Sequence, residues 1–333
     1  MRAWVLDRPA PIASAPLRLR ELPDPEPLAG EVRLRVHLCA LCRTDLHVIE
    51  GELPPVKSPL VPGHQVIGIV DRAGPGCRLL SAGDRVGVAW LRHTCGVCEF
   101  CRSGKENLCE AARFTGYHAD GGYAEWAIVP EEFAYRIPEA FRDEDAAPLL
   151  CAGIIGYRAL QRSELPRGGT LAIFGFGSSA HVVIQIAQHR GCRVFVVTRG
   201  ERHQALAREM GATWASGSAE GMPERVDSAI LLAPVGTLVP PALTCLKQGG
   251  TLAIAGIYVS DIPSLQYERH LFHERNLRSV TANTREDGRA LLREAADIPL
   301  RPRVTAYDLE DANRALLDLK EDRVSGTAIL RIG

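Results

Sequence analysis

Four of the ten cysteines in this 333-residue chain fall within fifteen positions, as Cys95-Gly-Val-Cys98-Glu-Phe-Cys101 followed by Cys109. Thiolates are soft anionic donors. Three of them spaced by three can wrap one ion while a fourth closes it from the loop. Four sulfur ligands leave no position for a substrate, so the pattern predicts a closed, structural Zn2+ site in a lobe spanning about 92–112. The surroundings are Gly-rich and weakly apolar, so a metal would supply the stability that a core supplies elsewhere. An iron–sulfur cluster also takes four cysteines, and buried thiols can cluster by chance, but the spacing favours zinc over both.

Two further segments carry metal-binding side chains, Cys42-Arg43-Thr44-Asp45-Leu-His47 and Pro62-Gly-His64-Gln65. Alone, Cys42 reads as a buried thiol and His64 as a histidine bonded within a core. Thr44 and His47 are three apart and share a face if their segment is helical. A histidine there suits proton transfer near neutral pH.

A third pattern is Thr170-Leu-Ala-Ile-Phe-Gly175-Phe176-Gly177-Ser178-Ser179-Ala180, an apolar strand, a tight turn and a helix start. Gly175 permits the turn, Gly177 lets the backbone approach a pyrophosphate, and Ala180 is an accepted third member of the fingerprint. The helix N-terminus attracts the anion. The next strand, Arg193 to Val197, ends at Thr198-Arg199. NAD sites place a carboxylate at that strand end to bond the ribose hydroxyls. Its absence, with Arg199 adjacent, favours NADP(H) over NAD(H).

These groups need elements to hold them. From Glu31 to Cys39, apolar Val32, Leu34, Val36 and Leu38 alternate with other residues, the period of a half-buried strand. Short runs at Gln65–Val70, Arg85–Trp90 and Tyr123–Val129 are bounded by Gly or Pro, as in an all-β unit. Beyond residue 152, apolar runs (Leu171–Phe174, Val194–Val197, Ala229–Ala233, Leu252–Ala255) alternate with helical segments at Ser179–His189 and Arg202–Met210. That alternation predicts a parallel sheet covered on both faces. A helix (Glu286–Ala296), a strand, a helix (Asp311–Leu319) and a strand (Thr327–Ile332) follow.

Over nearly its full length the chain resembles the zinc-dependent medium-chain alcohol dehydrogenases. The resemblance is carried by Cys42-x-Thr-Asp-x-x-His47, Gly63-His64, the Cys95–Cys109 lobe, Cys151 and the turn at Gly175. It implies an α/β fold made of a GroES-like β-rich catalytic domain (1–151), a Rossmann doubly wound parallel-sheet domain (152–283) and a return to the first domain (284–333). It also implies two Zn2+ ions, one structural on the cysteine lobe and one catalytic on Cys42, His64 and Cys151. The Cys2His set is the one for which alcohol dehydrogenase is the standard example. In the same terms Thr44 receives the alcohol proton, His47 relays it to solvent, Asp45 orients His64, and Arg43 contacts the cofactor pyrophosphate. The cofactor loop comprises Gly175, Phe176, Gly177, Ser178, Ser179 and Ala180, with Thr198 and Arg199 beyond it. Trp90, Leu91, Ile257 and Tyr258 resemble walls of the substrate pocket. The chain departs from the pattern at Gln65, where the family usually has glutamate.

The implied reaction interconverts alcohols and aldehydes or ketones by hydride transfer to or from NADP(H) or NAD(H). Polyol dehydrogenases share the fold but usually carry glutamate where this chain has Cys151, and zinc-free quinone and enoyl reductases lack the cysteine lobe. A non-catalytic nucleotide sensor of the same fold is the reading from a different class, and Gln65 is the residue that leans toward it. Composition is ordinary: 46% hydrophobic, 24% charged and a formal net charge of -1. This provides no electrostatic basis for binding nucleic acid or an anionic membrane. The opening Met1-Arg-Ala-Trp-Val-Leu-Asp7 has no apolar core of secretory length. Scattered thiols suit a reducing compartment. The expectation is a cytoplasmic homo-oligomer, dimer or tetramer.

Overall fold

The computed structural model describes residues 1–298 and 300–333, which divide into two compact units: Met1–Ala152 with Ala282–Asp297 and Arg301–Gly333, and Gly153–Thr281 with Ile298–Leu300. The chain opens with a hairpin of β1 (Arg2–Leu6) and β2 (Leu17–Glu21), then β3 (Glu31–Ala40) and helix α1 (Arg43–Ile49). Next come β4 (Gln65–Ala73), β5 (Arg85–Val88), β6 (Leu91–His93), helix α2 (Glu99–Arg102), β7 (Arg113–Phe114), β8 (Trp126–Pro130), β9 (Ala134–Arg136) and helix α3 (Asp143–Ala146).

The alternating side chains of β3 do what their period requires. Val32, Leu34 and Val36 enter the core with Val66, Val70, Val86, Val88 and Val129 from neighbouring strands. Arg33 is also buried, because its guanidinium pairs with Asp71 and lies 4.8 Å over the Trp126 ring. A charge in that position is tolerated only with such partners.

The second unit begins after Cys151 with helix α4 (Ala152–Arg162) and continues through β10 (Thr170–Phe174), α5 (Ser178–His189), β11 (Arg193–Val197), α6 (Glu201–Glu209) and β12 (Trp214–Ser216). It closes with β13 (Val226–Leu231), α7 (Val239–Thr244), β14 (Leu246–Ile254), α8 (Tyr267–His270) and β15 (Asn276–Ser279). All pairings are parallel, in the order β12-β11-β10-β13-β14-β15. Renumbered within the unit this is 3-2-1-4-5-6, the Rossmann order, and the strand order reverses between β10 and β13. Such switch points are where dinucleotides bind.

Helix α9 (Arg285–Ala296), β16 (Val304–Asp308), α10 (Ala312–Lys320) and β17 (Thr327–Arg331) complete the chain. β17 runs antiparallel to β3 through Ile329↔Ala40 and parallel to β16, so the last strands extend the first unit's sheet to β16-β17-β3-β4-β5-β9, with β8 also on β3. Among the described residues no helix is long and apolar enough to cross a membrane.

Candidate metal centres and cofactor turn

Cys42 ends the turn after β3 and caps α1. Its sulfur accepts the Thr44 N–H at 3.3 Å, while Asp45 reaches back to accept the Cys42 N–H at 2.9 Å. This is a capping box with a thiol in place of the usual hydroxyl. The other Asp45 oxygen accepts from His64 Nδ1 at 3.0 Å. A carboxylate can only accept, so Nδ1 carries a proton and Nε2 is the nitrogen left for a metal. Nε2 lies 3.3 Å from Cys42 Sγ. Cys151, just before α4, completes a trio whose donor atoms all lie within 4.8 Å of one another. Tetrahedral Zn2+ with ordinary ligand lengths sets sulfur and nitrogen about 3.6 Å apart, so the trio fits the ion.

The electrostatics suit a cation. Between the two thiols, contact with Cys151 and then His64 holds Cys42 well below the usual thiol range, despite burial. Cys151 is pushed up, first by Cys42 and then by burial. Burial works against a charged His64, but Asp45 and Cys42 outweigh it and raise the imidazole well above the usual histidine range. Burial raises the Asp45 carboxyl, partly offset by His64. The chain has gathered two thiols and an acid-backed imidazole in one largely buried place, and a bound dication would favour their metal-binding forms.

The lobe is built differently. Cys95, Cys98, Cys101 and Cys109 sulfurs all lie within 4.8 Å of one another, and Cys95 and Cys101 sulfurs are 3.9 Å apart. The edge of a zinc–sulfur tetrahedron is about 3.8 Å. Backbone N–H groups point at sulfur throughout: Cys98 to Cys95 at 3.4 Å, Cys101 to Cys98 at 3.5 Å, and Cys95 to Cys109 at 3.4 Å. The Val97 and Cys98 N–H groups bring the Cys95 thiol down to about 6. Burial, then Cys98, takes Cys101 up to about 11. Glu106, within the lobe, accepts the Arg285 N–H at 2.6 Å and its guanidinium at 2.7 Å, tying the lobe to the start of α9.

Thr44 and His47 share a face of α1, and His47 Nδ1 pairs with exposed Glu52. Arg43 is exposed on the first turn of α1. Gln65 follows His64 at the start of β4 and is fully buried, and neither amide atom has a hydrogen-bond partner among the described residues. Trp90 stands edge-on to His64 at 4.9 Å. Behind it Phe114 stacks at 5.0 Å and Tyr117 at 6.0 Å. Neither Phe114 nor Tyr117 was singled out from sequence, because no spacing rule links them to residue 90. Leu91, at the start of β6, is 0% exposed and packs with the first unit's core. Ile257 and Tyr258 lie in the second unit, exposed after β14.

Also in the second unit, Gly175 has φ +95°, and a Cβ there would sit 2.8 Å from the Ala233 nitrogen. Only glycine makes this turn without strain. A Cβ at Gly177 would meet nothing within 4 Å, leaving open space at the start of α5, where Ser178, Ser179 and Ala180 follow. Phe176 between the glycines is buried. That open space fits a pyrophosphate at the helix N-terminus. Thr198 is buried at the end of β11, its carbonyl accepting from Gln204 at 3.1 Å, and Arg199 is exposed beside it.

Comparison with known proteins matches this architecture. Residues 28–139 match the alcohol dehydrogenase GroES-like domain, and residues 180–297 match the zinc-binding dehydrogenase domain. A probable alcohol dehydrogenase, AdhA, from Mycobacterium tuberculosis is 50% identical over 100% of this chain and 97% of its own. An alcohol dehydrogenase from Geobacillus stearothermophilus is 32% identical over 95% of this chain and 96% of its own. The solved structure of a thermostable alcohol dehydrogenase from Pyrobaculum aerophilum, with cobalt and zinc bound, superposes with a TM-score of 0.89 at 25% identity, covering 99% of each chain. The chain thus belongs to the zinc-dependent medium-chain alcohol dehydrogenase family and is an NAD(P)-dependent alcohol dehydrogenase.

Proposed function

We propose that this dehydrogenase works at the trio Cys42, His64 and Cys151, with a second, closed zinc on Cys95, Cys98, Cys101 and Cys109. The observation that carries the reading is the convergence of two thiols and an Asp45-oriented imidazole within 4.8 Å. Zinc on such a set keeps one position open and acts as a Lewis acid on an alcohol or carbonyl oxygen. The chain's own groups do the rest. Asp45 fixes the His64 tautomer, the Thr44 hydroxyl takes the alcohol proton, and His47 passes it outward beside exposed Glu52. Trp90, backed by Phe114 and Tyr117, offers a flat apolar face beside His64 and favours aromatic or longer aliphatic alcohols over ethanol.

In the second unit Gly175 to Ala180 hold the cofactor pyrophosphate; in the first, exposed Arg43 is a cation of the kind a phosphate attracts. NADP(H) is preferred because Thr198 places no carboxylate at the end of β11 to repel a 2′-phosphate, and Arg199 is exposed to meet it. The enzyme is a cytoplasmic homo-oligomer. Its ten free thiols suit a reducing compartment. β15 is a sheet-edge strand with exposed Leu277, an edge that pairing with a second copy would cover. Metal analysis of purified protein is expected to give two zinc ions per chain, and a panel of alcohols and aldehydes to give a higher kcat/KM with NADP(H). A higher kcat/KM with NAD(H), or an Arg199→Ala variant whose KM for NADP(H) is unchanged, overturns the cofactor assignment. No turnover despite full zinc overturns the enzyme reading of this site.

A further inference from the structure

Tyr123 lies behind His64, on a segment laced to the loop that carries the histidine. The Gly121 N–H donates to the Val61 carbonyl at 2.7 Å, the Gly122 N–H to Gly63 at 3.0 Å, and the Tyr123 N–H to Pro62 at 3.0 Å. The ring fills the space over Gly63, where a Cβ would meet Tyr123 Cδ1 at 2.4 Å. Phenylalanine would pack there equally well, so packing does not account for the hydroxyl. That hydroxyl is buried close to Asp45, Cys39 and Cys42, yet no hydrogen bond of ordinary length satisfies it among the described residues. A buried phenol normally finds an acceptor.

Asp45 is the acceptor within view. It is 2% exposed, and each oxygen takes one donor, His64 on one side and the Cys42 N–H on the other. A carboxylate has about four acceptor positions, so half are unused in a place without water. An unsatisfied donor and unused acceptor positions thus lie close together in one buried place. We infer that Tyr123 is a positioning residue whose hydroxyl donates to Asp45, fixing the carboxylate that fixes His64 and thereby slowing loss of metal from the Cys42–His64–Cys151 site. The inference rests on the metal site proposed above.

The test uses full-length zinc-loaded protein as wild type, Tyr123→Phe, Asp45→Asn and the double variant, with zinc release followed in excess chelator and the Co2+-loaded spectrum as a second readout. Tyr123→Phe is expected to release the open-site metal about 10-fold faster and shift the Co2+ bands. The apo chain's melting temperature should not change. In the Asp45→Asn background the same change should add less than twofold, because the charged acceptor is gone and the one amide oxygen left is already claimed by His64 or the Cys42 N–H. An unchanged release rate in Tyr123→Phe overturns the assignment, as does an equal acceleration in both backgrounds. Failure of the metal site itself looks different: wild type would then hold no zinc beyond the lobe.

Discussion

Asp45→Asn tests the geometry of the open site most directly. The carboxylate makes two bonds that both require an acceptor, to the Cys42 N–H at 2.9 Å and to His64 Nδ1 at 3.0 Å. An asparagine has one acceptor oxygen and one NH2, so it can satisfy only one of them. If the oxygen turns to Cys42, the NH2 faces Nδ1, and the imidazole must move its proton to Nε2. That is the atom 3.3 Å from Cys42 Sγ, and once protonated it cannot bind a metal. If the oxygen turns to His64, the helix cap is lost instead, at about 1 kcal/mol. Either way the site loses one charge-assisted bond, about 1.5–3 kcal/mol. Zinc affinity should fall by about 10- to 100-fold, or about 1.4–2.7 kcal/mol. Chelator competition measures the affinity, and nitrogen chemical shifts of the labelled imidazole report the tautomer. Affinity within twofold of wild type, with the Nδ1–H tautomer retained, would refute the argument that Asp45 sets the ligand.

Three other outcomes follow from the same reasoning. Cys101→Ser should cost the lobe its zinc while the ion at Cys42 remains, because the four sulfurs share no residue with the open trio; retention of both ions by metal analysis contradicts this. Gly175→Ala, at φ +95° and 2.8 Å from the Ala233 nitrogen, should lose cofactor binding by at least about tenfold in a fluorescence titration, while the lobe's zinc is unaffected. Glu131 accepts N–H bonds from Arg78, Leu79 and Leu80 at 2.7–3.2 Å, which outweigh burial and hold its carboxyl below the usual range. A depressed carboxyl stabilises the fold above its unfolded pKa and loses that contribution as pH falls through the folded one. Glu131→Gln should therefore lower urea stability by about 1–2 kcal/mol at neutral pH. The gap to wild type should close below about pH 4, and a gap that widens on acidification would sink the idea.

The two candidate metal centres were legible to different degrees for a physical reason. The lobe is local. Its ligands, and the N–H groups that support their sulfurs, lie between Cys95 and Cys109, so spacing alone announces the site. The open site is assembled from the end of β3, the loop before β4 and the residue before α4, which only the folded sheet brings together. No local pattern relates Cys42 to Cys151, and family resemblance supplied that link. Long apolar runs such as Leu171–Phe174 were visible as strands because both faces of a parallel sheet are covered. β12 and β15 were not, since Trp214–Ser216 is too short to show a period and Asn276–Ser279 is mostly exposed at the sheet edge. The burial of Leu91 was hidden for a related reason: a three-residue strand does not reveal which way it faces.

Gln65 directly follows His64 in the chain, and the surroundings of His64 are already acidic. Cys42, Cys151 and Asp45 already place three acidic groups around one buried histidine. A dication balances two of them, and the third is held by hydrogen bonds from His64 and the Cys42 backbone. A carboxylate at position 65 would add a fourth acidic group at a position that is 0% exposed and offers no hydrogen-bond partner. An unpaired buried charge costs several kcal/mol or forces a proton onto some group nearby. An amide keeps the shape without that cost, at the lesser expense of two unsatisfied polar atoms. Glutamine at this position therefore adds no further charge next to His64, which leaves Asp45 as the acidic partner that orients the imidazole.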